Sequence, residues 1–328
     1  MKKVLILAFA AAALFLTACT PAATQEDGKI GAAVGIVPEA AFVQAVAGDR
    51  VDVVMMIPPG YSPANYSPTA AEMRALSDAD IYFTLRMPAE EANILPKLGD
   101  FNPDIKIVDL HEAVEEVYPM RELEAHSHDD DAHEGEHSEE EHTDGEHHED
   151  AHEEDEHAED DHHDHGAVDP HVWLSPRRAV VMVQAIVESL SDIDPGNADE
   201  YRQNAVDYIE ELEALDRDIA RAMDALENKT FLIYHPSYGY FADDYGLEML
   251  TIETAGKTAT AAKMAEVVGA AKEHGIKTVF YQDEFSDSQA QAVAAEIGGT
   301  VHKAQPLSMD YIGSLRAFAD ALTAQGAE

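Results

Sequence analysis

NADEYRQNAVDYIEELEALDRDIARAMDALE, residues Asn197 to Glu227, carries its apolar side chains along one helical stripe from end to end. Tyr201, Ala205, Tyr208, Ile209, Leu212, Leu215, Ile219 and Leu226 recur at the three- and four-residue steps that stack side chains on one face of an α-helix. Pro195-Gly196 marks where it starts. At ~1.5 Å per residue a helix of this length reaches about 45 Å, enough to span two lobes.

On both sides of this helix lie apolar runs suited to buried strands. One set is Ile30–Val37, Val51–Ile57, Ile81–Leu85 and Ile105–Leu110; the other is Phe231–Tyr234, Met249–Ile252, Thr278–Tyr281 and Thr300–His302. Continuous runs of this kind fit parallel sheets covered on both faces by helices. Val183, Ile186, Val187 and Leu190 share a helical face, as do Met264, Val267, Val268 and Ala271 before Gly275. Ser286 with Gln289 reads as a capping box ahead of Val293 and Ile297, and Ile312, Leu315, Phe318, Ala319 and Leu322 predict a closing amphipathic helix. The expected fold class is α/β, with two lobes, each a mostly parallel sheet flanked by helices, joined by one long rigid helix. The N-terminal lobe is placed at 29–192, the linking helix at 193–228 and the C-terminal lobe at 229–328.

The N-terminus predicts export. Lys2 and Lys3 precede thirteen residues, Val4 to Leu16, that form an apolar core shorter than the ~20 residues of a spanning helix. Leu16-Thr17-Ala18-Cys19 then resembles the lipobox of prokaryotic lipoproteins, so residues 1–19 read as a lipoprotein signal peptide with Cys19 as the lipidation site. Residues 20–28 read as a tether, and an extracytoplasmic, membrane-anchored monomer is expected. Cys19 is the sole cysteine, which excludes an intrachain disulfide and, once it is acylated, a thiolate site.

A formal net charge of −44 makes nucleic acid an unsuitable partner, since phosphate binding needs a basic face. Much of that charge lies at 126–165, where forty residues hold twelve His and twenty Asp or Glu with no Lys or Arg. Such a stretch cannot bury enough apolar surface to offset its ordering entropy and reads as a disordered insertion in the first lobe. Neutral imidazoles bind zinc, copper and nickel, and the carboxylates concentrate cations around them. A flexible tract selects no metal by geometry, so it reads as a collector beside a more specific site.

Two folded segments offer that site. Asp169-Pro170-His171-Val172-Trp173-Leu174-Ser175-Pro176 sets His171 in a turn before a helix capped by Ser175. Phe231-Leu232-Ile233-Tyr234-His235-Pro236 puts His235 at the carboxyl end of a buried strand, where open α/β sheets bind ligands. Taken alone, each histidine is equally at home as a hydrogen-bonded cleft residue. Tyr66, Trp173, Tyr234, Tyr238 and Phe241 crowd these motifs as core or cleft-wall residues.

"DPHVWLSP", "HPSYGYFADDYGL" and "VFYQDEFSDSQAQAVAAEIGG" resemble three successive signatures of the zinc- and manganese-type (cluster A-I) periplasmic substrate-binding proteins of metal ABC importers. The acidic His-rich insertion resembles the zinc members. The resemblance runs from Lys29 to the C-terminus and implies one metal ion held between two lobes for delivery to an ABC permease. It places His171 and His235 at ligand positions, with Zn2+ first and Mn2+ or another divalent transition metal as alternatives.

Two positions depart from that pattern. "GYSPANYSPT" puts Ala64 where the family has a histidine, and "AQPLS" puts Gln305 where it has an aspartate. Two histidines leave a four-coordinate ion half ligated. His162, His163, His165 and Glu253 are the candidates to complete the shell, with Gln305 a poor ligand for zinc. A degenerate member that buffers metal or binds another small ligand is the alternative. A zinc hydrolase is the enzyme reading, and it lacks an H-E-x-x-H helix or a G-x-S-x-G elbow.

Overall fold

The computed structural model describes residues 29–123, 168–253 and 258–325. In the first lobe, β1 (Ile30–Val34), β2 (Val51–Met55), β3 (Ile81–Thr84) and β4 (Lys106–Asp109) form a sheet in the order β2-β1-β3-β4. In the second, β5 (Thr230–Ile233), β6 (Glu248–Thr251), β7 (Thr278–Gln282) and β8 (Thr300–Ala304) repeat that order as β6-β5-β7-β8. Every pairing is parallel. The central strands β3 and β5 are buried at each of their positions, which is why they read as unbroken apolar runs.

The first lobe carries α1 (Val37–Ala47), α2 (Ala70–Ser77), α3 (Pro88–Asn93), α4 (Leu98–Phe101) and α5 (Leu110–Glu115). Then come α6 (Pro176–Ile193) and the long α7 (Ala198–Asp224), followed in the second lobe by α8 (Gly239–Tyr245), α9 (Ala261–Glu273), α10 (Ser288–Ile297) and α11 (Tyr311–Gln325). At ~1.5 Å per residue, α7 is about 40 Å long. It buries Tyr201, Ala205, Leu212, Leu215, Ile219 and Met223, and packs on α6, α1 and α11. Burying each large side chain contributes about 1.5–3 kcal/mol, so this stripe is a main tie between the lobes.

The core is continuous across the lobes. Phe42 of α1 meets Tyr311 of α11 edge-on at 4.9 Å and packs with Tyr208 of α7 at 6.4 Å. Trp173 Nε1 donates to the Pro306 carbonyl at 2.9 Å, and the Tyr311 hydroxyl returns a bond to the Trp173 carbonyl at 2.6 Å. Arg178, on α6, pairs at 2.8 Å with Asp244 of α8, which also accepts from the Ser175 hydroxyl at 2.5 Å. These bonds hold the segment around His171 against the second lobe.

Ser175 caps α6 by accepting from Arg178 N at 3.3 Å, as the sequence predicts. The capping box expected at Ser286 and Gln289 does not form. Asp287 occupies the N-cap, and the Gln289 amide instead makes a pair of bonds to the Ala259 backbone. This fastens the chain before α9 by satisfying both the N–H and the carbonyl of the half-buried Ala259.

Candidate metal centre

His235 leaves β5 at its carboxyl end, between the ends of β6 and β7, where the second sheet's strand order reverses. Both neighbours hold it. Gln282, the last residue of β7, accepts from His235 N at 3.3 Å and donates to its carbonyl at 2.8 Å. Glu253, just past β6, accepts through Oε2 from His235 Nδ1 at 2.7 Å. The Phe285 ring stacks on the imidazole at 4.7 Å, closing its face to water.

His171 is fixed by its own loop. Asp169 Oδ1 accepts from the His171 backbone N at 3.0 Å and from Nδ1 at 2.6 Å, an Asx-turn whose carboxylate also reaches the ring. Trp173 packs against that ring at 5.2 Å. Both carboxylates are buried, with Asp169 0% and Glu253 3% exposed, while the imidazoles remain 12% and 18% exposed and open to a small ion.

The two Nε2 atoms face each other at 3.3 Å. A carboxylate at each Nδ1 favours a proton there, and a neutral ring so held turns an unshared pair on Nε2 toward its partner, the form in which imidazole ligates a cation. Nitrogens ~2.05 Å from a tetrahedral metal stand about 3.3 Å apart, so the pair matches one edge of a zinc coordination sphere. A carboxylate behind each ligating imidazole is the arrangement that fixes tautomer and strengthens donation.

No cluster of three or more His, Cys, Asp or Glu able to hold a metal ion occurs among the described residues. Glu253 spends one oxygen on Nδ1, and its other, Oε1, is buried without a hydrogen-bond partner. Gln305 is exposed just beyond β8, and Ala64 is exposed on the loop before α2. His162, His163, His165 and Cys19 lie outside the described residues, as does the whole of the 126–165 insertion. Trp173, Tyr238 and Phe241 are core, Tyr234 is buried, and Tyr66 is half-buried with its hydroxyl on Glu72.

Four neighbours escape the sequence reading. Asp169 is foreshadowed by the Asp-Pro-His spelling of an Asx-turn, but Gln282 and Phe285 join His235 only through the strand order. The fourth is Glu284, two residues past Gln282, whose carboxyl is pushed up by burial against a bond from its own backbone N–H that pulls it down.

Residues 33–325 match the family described as zinc-uptake complex component A, periplasmic. The zinc-binding lipoprotein AdcA of Streptococcus pneumoniae is 31% identical over 318 residues, covering 94% of this chain and 56% of its own, so this chain spans about half the length of such relatives. The high-affinity zinc uptake system protein ZnuA of Bacillus subtilis is 28% identical over 336 residues, covering 95% of this chain and 94% of its own. A crystal structure of ZnuA superposes with a TM-score of 0.74 at 26% identity, over 91% of this chain and 99% of that one. The two parallel sheets and the linking helix are thus accounted for together: the chain belongs to the zinc-uptake complex component A family.

Proposed function

We propose that this chain captures a divalent transition-metal ion, zinc in the first place, outside the cytoplasm at His171 and His235, and passes it to an ABC permease. The observation that carries this reading is the approach of the two Nε2 atoms at 3.3 Å with both Nδ1 atoms held by buried carboxylates. Two buried carboxylates and two neutral imidazoles make a site whose charge favours a dication over a monocation. The printed names of the relatives, zinc-binding and zinc-uptake proteins, support zinc as the cargo. In this reading the chain is a binding component and performs no catalysis.

Water or a side chain from His162, His163 or His165 completes the ligand shell, in place of the histidine missing at Ala64. The 126–165 insertion collects ions at the membrane surface, and acylated Cys19 anchors a monomer there. The second reading is a metal buffer with no permease. It is favoured by the alanine at position 64 and by a described site of only two histidines.

Zinc titration under chelator competition tests the assignment. One tight equivalent per chain, absent from the His171→Ala/His235→Ala protein, is expected. A tight equivalent that survives both substitutions overturns it. Binding that is tight but unresponsive to a reconstituted permease selects the buffer.

A further inference from the structure

The carboxylate behind His171 is itself held by a residue distant in sequence. Asp169 Oδ1 serves the His171 ring and backbone, while Oδ2 is buried and makes no hydrogen bond. Opposing its charge is Arg121, whose Nε lies 3.5 Å from Oδ2. Arg121 is well anchored for this task. Its backbone N donates to the Tyr240 hydroxyl at 3.1 Å, its carbonyl accepts from Asp169 N at 2.8 Å, and Nη1 donates to both oxygens of Asp243 at 2.8 and 2.9 Å. The Tyr240 hydroxyl donates in turn to the Asp169 carbonyl at 2.8 Å.

This ion pair crosses the backbone of α8 at Gly239. A Cβ there lies 2.5 Å from Arg121 Nε, 2.7 Å from its Cδ and 2.8 Å from Asp169 Oδ2. Gly239 begins a helix, where alanine is the better residue by intrinsic propensity. The three atoms nearest to such a Cβ all belong to the Arg121–Asp169 pair, so the glycine makes room for that contact.

We propose that Arg121, passing over Gly239, is a positioning residue that holds Asp169 against His171 and thereby sets the affinity of the metal site; this rests on the function proposed above. Without the guanidinium, a buried anion lacks its counter-charge and turns away from His171 Nδ1. The imidazole is then free to rotate and to carry its proton on Nε2, a form that cannot ligate. The second lobe thus acts on both histidines: directly through His235, and through α8, Arg121 and Asp169 on His171.

The test uses the full chain, with zinc added under a chelator strong enough to empty weak sites. Arg121→Ala and Gly239→Ala each weaken the tight equivalent by about 10–100-fold, the usual loss when a residue behind a metal ligand is removed. Arg121→Lys restores part of the loss. Arg121→Ala/Gly239→Ala binds no more weakly than Arg121→Ala, because both changes break one contact. Asp243→Ala, which removes the outer partner alone, stays within about threefold of the parent.

Melting of the metal-free proteins separates positioning from stability. The proposal requires affinity to fall in Gly239→Ala by more than its loss of melting temperature accounts for, since parting the buried pair also lowers stability. Arg121→Ala and Gly239→Ala proteins that bind within about twofold of the parent overturn it, as does affinity that falls only in step with melting temperature. Sensitivity of the parent's tight equivalent to His171→Ala is measured alongside. Its absence removes the proposed function as well, whereas its presence with an indifferent Arg121 removes this inference alone.

Discussion

His171 and His235 stand 64 positions apart and meet through the same atom, Nε2 facing Nε2 at 3.3 Å. One is set by a turn entering α6 and the other by the end of β5, so their separation reports how the lobes are seated. Trp173 to Pro306, Tyr311 to Trp173 and Arg178 to Asp244 hold that seating beside the site. A displacement of ~1 Å breaks a metal–nitrogen bond that tolerates about 0.2 Å.

Single substitutions of either histidine are therefore severe. His171→Ala and His235→Ala each lower tight zinc affinity by at least about 100-fold, because one imidazole cannot hold the ion with water alone. Competition titrations of each variant against a chelator check the outcome.

Glu253→Gln keeps the size of the side chain and removes its charge. A carboxamide presents either an acceptor or a donor to His235 Nδ1 and no longer enforces the tautomer. Zinc affinity drops about 10–100-fold while the fold is retained, as read by titration beside circular dichroism.

Ala64→His tests the departure from the family pattern. Ala64 is exposed on a loop pinned to the lobe by the bond from Ala89 N to the Pro63 carbonyl at 3.0 Å. A histidine that swings into the site supplies a third nitrogen and tightens zinc by about tenfold or more. Unchanged affinity in this protein indicates that the shell is already complete.

Glu39 and Glu90 form a separate titrating pair in the first lobe. Both are fully buried and converge on Gly35, where a Cβ lies 2.5 Å from Glu90 Oε1 and 2.9 Å from Glu39 Oε2. Burial raises the Glu39 carboxyl well above the usual range, with the charge of Glu90 adding to it. Burial raises Glu90 as well, against bonds from the Tyr82 hydroxyl and Met87 N that pull it down. A raised carboxyl binds more protons folded than unfolded, so its contribution is fully present below the unfolded carboxylate range and is lost as pH rises through the folded value. Glu39→Gln removes that loss and leaves the Ile36 N–H an acceptor. Melting at pH 7 rises by roughly 2–4 °C, the equivalent of about 1 kcal/mol in a domain of this size, with little change near pH 4. Parallel melting curves across that range read it out.

Deleting residues 126–165 leaves the lobes folded, because a long polar loop adds little to stability. Calorimetry then shows several weak zinc equivalents gone and the tight one kept. Loss of the tight equivalent as well assigns His162, His163 or His165 to the shell, and unchanged stoichiometry denies the insertion any part in binding.

Local chemistry made much of this legible from residues alone. Strands buried on both faces must be apolar throughout, so the runs at Ile81 and Phe231 stand out; α7 must keep a stripe, so Tyr201 to Ile219 stand out too. Ser175 and His171 follow from the same short-range logic. The Ser286 capping box did not, because Gln289 bonds instead to the backbone of Ala259, thirty residues away in sequence.

The sequence by itself marked the eight strands, the long linking helix and the helices α6, α9, α10 and α11, and it singled out His171 and His235 as candidates. These depend on neighbours within a few residues and on the solvation of each side chain. Tertiary structure decided that Glu253 is buried behind His235, that Arg121 reaches Asp169 over Gly239, and that two Nε2 atoms stop 3.3 Å apart. Each of those contacts joins residues brought together by sheet order and by the packing of one lobe on the other, a balance of burial over the whole chain that no local pattern records.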